Sequence, residues 1–115
     1  MDLQTVLEKY IQACHTHGSE TVISLDYSKV NKANSQIMKN IKILMSSEEG
    51  IALAKAQLYN EDVYVSSWTA TLLIFDYPKE CKKVIKSVIK DKGIWAGSIR
   101  TFYEEWKKGN MKKMY

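Results

Sequence analysis

The stretch "EDVYVSSWTATLLIFDYP", residues 61–78, decides the fold because it can be interpreted either as a strand or as a helix. β-Branched and aromatic residues favour strands, and the stretch contains both without any glycine. As a strand, however, it would have no cleanly apolar face, because serine and threonine fall among the valines and leucines. As a helix, it places Val65, Trp68, Leu72 and Phe75 on one stripe at spacings of three and four.

The ends of this stretch also favour a helix. Asn60 is predicted to cap its N-terminus, and Glu61 with Asp62 places negative charge at the positive pole of the helix. Pro78 stops the helix and suits the first turn of the next one. We therefore predict a helix that is mostly buried.

The same periodicity predicts five more helices, at residues 2–17, 27–46, 48–59, 78–92 and 94–108. Gly18, Gly93 and Gly109 are predicted to end three of them. Residues 19–25, "SETVISL", stay open between a loop and an irregular helical turn. Short connections make successive helices antiparallel neighbours, so we predict one all-α domain over residues 1–115 with about six antiparallel helices. A HEAT-like short solenoid and a compact bundle are both compatible with this pattern.

Composition sets broad limits on the kind of protein. The chain has 115 residues and a formal net charge of +4, which suits nucleic acid, an acidic protein or simple solubility. Cys14 and Cys81 form no C-x-x-C pair and are interpreted as reduced core residues of a cytoplasmic protein. No secretion signal is visible, and the longest apolar run, "LLIF", is too short to span a membrane. We expect a cytoplasmic protein without a membrane partner.

Two segments, "LYNEDVYVSSWTATLLIFDYPKE" and "TFYEEWKKG", resemble a small bacterial HEAT-like family of domains of unknown function. "YSKVNKANSQIMKNIKIL" resembles the long helix before them, so the likeness covers about residues 27–109. The family commonly has arginine directly after the valine that Val65 matches, whereas this chain has Ser66 at that position. The matching positions, mostly packing and capping residues, are Asn31, Leu58, Val65, Ala70, Leu72, Leu73, Pro78, Glu105, Trp106 and Gly109.

Some small helical proteins of this kind look like immunity proteins, which neutralise bacterial toxins by binding them. The resemblance thus implies that the partner is a cognate toxin domain, with a nuclease as the expected type. We expect the chain to act as a monomer within a heterodimeric complex and to cover the toxin without chemistry of its own.

No catalytic constellation is visible in the sequence. His15 and His17 are two residues apart, so they do not share a helix face. Cys14 and His17 have the spacing of half a zinc site, but no second pair exists, although Cys81 could join. We expect Cys14 to pack in the core and the histidines to favour the negative end of the first helix. The sequence predicts no enzyme, no metal and no cofactor.

Acidic pairs beside tyrosines are the first candidates for a partner-binding surface. Two carboxylate pairs open predicted helices, where they either complement the helix dipole or form a negative surface for a basic toxin cleft. The flanking tyrosines either pack or contact the partner. The candidate residues are Tyr59, Glu61, Asp62, Tyr64, Glu48 and Glu49.

A lysine-rich helix face is the alternative, with nucleic acid as its partner. A solvated face opposite the apolar stripe explains these lysines equally simply, and we favour it. The chain has one arginine, Arg100, which argues against nucleic acid because its readers usually exploit the arginine fork. The lysines of this face are Lys79, Lys82, Lys83, Lys86 and Lys90.

Overall fold

Six α-helices and one short 3₁₀ helix form the part of the chain that our computed structural model describes, residues 2–23 and 26–115. No strand occurs in these two ranges, so the all-α prediction is confirmed. The helices are α1 (Leu3–Ile23), α2 (Tyr27–Leu44), α3 (Glu48–Ala56), α4 (Val63–Leu73), α5 (Pro78–Val88) and α6 (Ile94–Lys107), with the 3₁₀ helix at Gln57–Tyr59.

Helix α4 lies at the centre of the fold and contacts α1, α3, α5 and α6. Most of its side chains are buried, including its serines and threonines. These hydroxyls are paired: Thr69 Oγ1 bonds the Tyr10 hydroxyl at 2.8 Å, and Ser67 Oγ accepts from Trp95 Nε1 at 2.9 Å. A helix buried on nearly every side needs no single apolar stripe, which explains its strand-like composition.

The helices pack as a compact bundle rather than as a solenoid. In a solenoid each unit contacts only its sequence neighbours, whereas α1 contacts α2, α3, α4 and α6. The Cα radius of gyration is 13.3 Å. A compact domain of this length has a radius of about 13 Å.

The prediction that Gly18 ends the first helix is wrong, because α1 continues to Ile23. Gly18 is buried inside the helix, and a Cβ placed there would collide with the ring of Tyr64. The glycine is therefore required by a close approach between α1 and α4. Residues 19–23 of the open stretch are helical, while Ser24 and Leu25 lie outside the described residues.

Two other predicted boundaries also need correction. Asp62, not Asn60, caps α4: its Oδ1 accepts from the backbone N–H of Tyr64 at 2.9 Å. Helix α5 ends at Val88 rather than at residue 92, and Gly93 lies just before α6 with a φ of 123°. Gly109, with a φ of 83°, follows the end of α6 as predicted.

The tryptophan that lies within the buried core is Trp95, which helical spacing places on the same apolar stripe of residues 94–108 as Ile99 and Trp106. Helical spacing also predicts that Trp68 and Trp106 are mainly buried, and this prediction is wrong: each is only partly buried and packs against the core from its margin. Cys14 and Cys81 are free thiols and both are buried, as predicted. Burial raises the pKa of each thiol to about 12, so neither thiolate forms readily at neutral pH.

Candidate functional site

The N-terminal end of α4 presents an exposed cluster that we call the Tyr59 patch, made of Tyr59, Glu61 and Val63. Tyr59 is 76% exposed and Val63 is 41% exposed, and Glu61 is exposed as well. Hydrogen bonds fix the turn between them: Asn60 Nδ2 donates to Gln57 Oε1 at 2.9 Å, and Asn60 Oδ1 accepts from the Asp62 N–H at 2.8 Å. The patch is therefore displayed on a defined backbone.

Asp62, although next to Glu61, has a structural role. Its Oδ1 caps α4, and its Oδ2 lies 2.6 Å from His15 Nδ1 on α1. The carboxylate is half-buried between the two helices. Both of its oxygens are thus engaged within the chain, which leaves Glu61 as the exposed acid of the pair.

Tyr64 is likewise occupied by packing. Its ring covers Gly18 and lies edge-on to Trp95, with 5.2 Å between ring centroids. The His15 ring approaches it from α1 with a centroid distance of 5.8 Å. Of the two tyrosines predicted at this surface, Tyr59 is the one whose side chain is available to a partner.

Glu48 and Glu49 lie away from the Tyr59 patch. Both are exposed in the first turn of α3, whose N-cap Ser47 accepts from the Gly50 N–H at 3.1 Å. They open the nine-residue helix α3, and the 3₁₀ helix that carries Tyr59 follows the other end of that helix. At 1.5 Å of rise per residue the helix is about 14 Å long, so the structure does not join the two acidic groups into one cluster.

The basic face of α5 is mostly solvent-exposed. Lys79, Lys83, Lys86 and Lys90 are exposed, opposite a buried stripe that includes Cys81, Ile85 and Val88. Lys82 is half-buried, with its Nζ 5.4 Å from the ring centroid of Trp106. This arrangement is typical of an amphipathic helix at a protein surface.

His17 lies in the middle of α1, so the predicted placement of the histidines at a helix end is wrong. Trp68 Nε1 donates to His17 Nδ1 at 3.3 Å, and the ring centroid of Trp95 is 5.9 Å from that of His17. Burial lowers the pKa of His17, which favours the neutral imidazole that this bond requires. Together with Phe102 and Met114, these rings line a cavity of about 180 Å³.

Nothing in the described residues forms a metal centre: no three His, Cys, Asp or Glu side chains are placed to share an ion. Within residues 2–23 and 26–115, every buried side-chain nitrogen and oxygen has a hydrogen-bond partner. The described helices include none with the length and apolar character needed to cross a membrane.

Sequence reasoning overlooked a lysine-lined groove of about 500 Å³ between α1 and α2. Its lysines are Lys9, Lys29, Lys32 and Lys39. The signal was present in the sequence: α2 contains four lysines and no aspartate or glutamate.

Comparisons of the chain with models of protein families, with curated proteins and with solved structures found no match.

Proposed function

We propose that this protein binds another protein through the Tyr59 patch and that the partner is a bacterial toxin domain, which it neutralises by covering it. The observation that carries the proposal is the 76% exposure of Tyr59 on a hydrogen-bonded turn. The resemblance of residues 27–109 to a HEAT-like family, some members of which look like immunity proteins, suggests the kind of partner.

An exposed tyrosine on a fixed turn suits an interface. Tyrosine is enriched among the residues that contribute most to protein binding, since it offers a large contact area with few rotatable bonds. The two hydrogen bonds of Asn60 hold the turn before any partner arrives, so little backbone entropy is lost on association. Val63 adds apolar surface beside the ring.

Glu61 supplies the charge that a basic partner would recognise. A nuclease domain must attract phosphates, so its active cleft carries positive charge. An exposed carboxylate next to an aromatic ring complements such a cleft and speeds encounter with it. Asp62 is engaged with His15 and holds α4 to α1, so Glu61 is the carboxylate that the patch presents.

A neutralising complex must be tight, because free toxin acts repeatedly on the cell. A dissociation constant near 1 nM corresponds to about −12 kcal/mol. Interfaces of that kind bury about 800 Å² on each partner, so the Tyr59 patch would be the centre of a larger contact.

Affinity purification from the source cells, using the tagged chain, tests this proposal. We expect a toxin-domain protein to co-purify with the wild type and to be lost with the Tyr59→Ala, Glu61→Arg double variant. Tyr27→Ala with Glu8→Arg is the matched control, because it removes an exposed tyrosine and reverses an exposed carboxylate elsewhere.

Growth protection completes the test. Cells that produce the captured toxin domain should survive with the wild type or the control and not with the double variant. Protection by the double variant would contradict the placement of the site, and capture of no toxin domain would contradict the function.

A further inference from the structure

The exposed face of α2 consists of hydrogen-bond donors and carries no carboxylate. Half of the helix is exposed, and every exposed residue is a lysine, asparagine, serine or tyrosine. Side chains of these types are among those that contact phosphate and sugar in nucleic-acid complexes. The exposed residues are Tyr27, Ser28, Lys29, Asn31, Lys32, Asn34, Ser35, Lys39 and Lys42.

The groove between α1 and α2 extends this positive surface. Lys29, Lys32 and Lys39 lie on one side of α2 because they follow helical spacing, and Lys9 faces them from α1. The rest of the lining consists of two small buried residues and three neutral polar residues, Ala13, Ala33, Gln12, Thr16 and Gln36. Among the described residues, no acidic side chain lines the groove.

Few of these lysines are neutralised by neighbouring acids. Lys29 Nζ lies 3.8 Å from Glu20 Oε1 at one end of the groove, a long contact for an ion pair. Within the described residues, Lys9, Lys32, Lys39 and Lys42 have no carboxylate within ion-pair distance. From Lys29 to Lys42 the helix rises about 20 Å, which gives a line of positive charge.

We propose that the exposed face of α2, together with the α1–α2 groove, binds the phosphate backbone of a duplex nucleic acid without reading its sequence. Lysine is a point charge that serves phosphate well, whereas base reading typically uses the arginine fork. The single arginine, Arg100, lies on α6 and is absent from this face. The scarcity of arginine therefore opposes base recognition but not backbone binding.

The groove suits contacts to the phosphates of a duplex better than it suits the bases of a single strand. Single-strand sites stack successive bases on aromatic rings, whereas among the described residues no aromatic side chain lines this groove and the exposed face of α2 carries one, Tyr27 at its N-terminal end. This surface and the Tyr59 patch consist of different residues, so an experiment can contradict one of the two proposals without affecting the other.

Fluorescence anisotropy with a mixed-sequence DNA duplex of about 25 base pairs tests the proposal over about 50 to 200 mM salt. The wild type should bind with an affinity that falls steeply as salt rises. Lys32→Gln, Lys39→Gln, Lys42→Gln removes three phosphate contacts and should flatten the slope of log K against log[salt] by roughly 2 to 3. It should also weaken binding at the lowest salt by at least about tenfold.

Lys79→Gln, Lys83→Gln, Lys86→Gln on α5 is the matched control, because it removes the same charge from another exposed face. The proposal expects this control to keep nearly the wild-type slope. A control that loses as much as the α2 variant, or more, would overturn the assignment of the face. An unchanged slope in the α2 variant would do the same.

Two further outcomes decide the ligand. Undetectable duplex binding at the lowest salt would overturn the proposal. Tighter, α2-dependent binding of poly-glutamate than of the DNA or a matching RNA duplex would also overturn it and assign the groove to an acidic protein. Equal circular dichroism spectra of all variants establish that the comparison is made between folded proteins.

Discussion

The interior of α4 and its N-terminal end use similar residue types for different purposes. In the interior, hydroxyls and rings are buried and paired, as in the Tyr10–Thr69 and Trp95–Ser67 bonds. At the N-terminal end, adjacent residues diverge: Asp62 is tied to His15, whereas Glu61 is exposed. Residue types in the sequence therefore indicate where a surface lies, but the contacts of each side chain decide whether it remains available for binding.

The largest contrast is expected between Trp95 in the interior and Tyr59 at the exposed end. Trp95→Ala removes a buried ring and leaves Ser67 Oγ without its donor, so it should cost about 3 to 5 kcal/mol of unfolding free energy. Tyr59→Ala should change that free energy by less than about 0.5 kcal/mol. Urea denaturation of both variants measures the two losses of unfolding free energy, and similar losses would contradict this prediction.

Two glycine substitutions compare a tightly packed position with an open one. Gly18→Ala forces a methyl group against the Tyr64 ring and should destabilise the fold by about 1 to 3 kcal/mol. Gly97→Ala meets no atom within 4 Å on α6 and should stabilise it by roughly 0.5 to 1 kcal/mol. Thermal unfolding gives the sign of each change. A stabilising Gly18→Ala would show that Tyr64 does not rest on α1.

Much of this fold could be predicted from the sequence, because the helical spacing of apolar residues can be recognised within each segment without knowing which helices it packs against. The failures occur where a distant contact decides the role. Gly18 has the character of a helix stop, yet the helix continues because its missing side chain admits Tyr64 from α4. Asn60 and Asp62 are both good caps, and the chain uses Asp62, which also meets His15.

That Tyr59 and Tyr64 lie at a helix junction could be predicted from the sequence, but the exposure of each side chain could not. Tyr59 and Tyr64 flank the same pair of acidic residues in the sequence. Only the packing of Tyr64 against Gly18 and Trp95 distinguishes its role from that of Tyr59. The groove between α1 and α2 depends on the pairing of two helices. Its lysine spacing on α2 was visible, but the partner lysine on α1 was not.

A third prediction compares the two neighbouring acids at the N-terminal end. Asp62→Ala removes the cap of α4 and should cost about 0.5 to 2 kcal/mol. Glu61→Ala should stay within about 0.5 kcal/mol of the wild type, because its side chain is exposed. Chemical denaturation of the two single variants provides the measurement. Equal losses would show that the two carboxylates share one role.

The smallest effect concerns pH and the half-buried His17. Its pKa in the folded chain is lowered by burial from the ordinary value of 6.5, so below that pH the unfolded chain binds a proton that the folded chain does not. Stability from this group is thus present above about pH 6.5 and is lost as the pH falls through the folded pKa. Denaturation of the wild type at about pH 7.5 and about pH 5.5 should show this loss.

His17→Gln is the matched variant for the pH experiment. Glutamine does not titrate, and its side-chain oxygen can accept from Trp68 Nε1 as the imidazole does. The variant should therefore lose less stability than the wild type over the same pH range. Equal losses in the two proteins would show that His17 is as easily protonated in the folded chain as in the unfolded one.

Calorimetric titration of the captured toxin domain against the wild type and the Tyr59→Ala, Glu61→Arg variant tests most directly whether the Tyr59 patch binds the partner. The variant should bind at least about 30-fold more weakly, which is the loss expected when a residue contributing about 2 kcal/mol is removed. Its unfolding free energy should stay within about 1 kcal/mol of the wild type, since both changes are on exposed side chains. An unchanged dissociation constant would contradict the claim that this exposed end of α4 binds the partner.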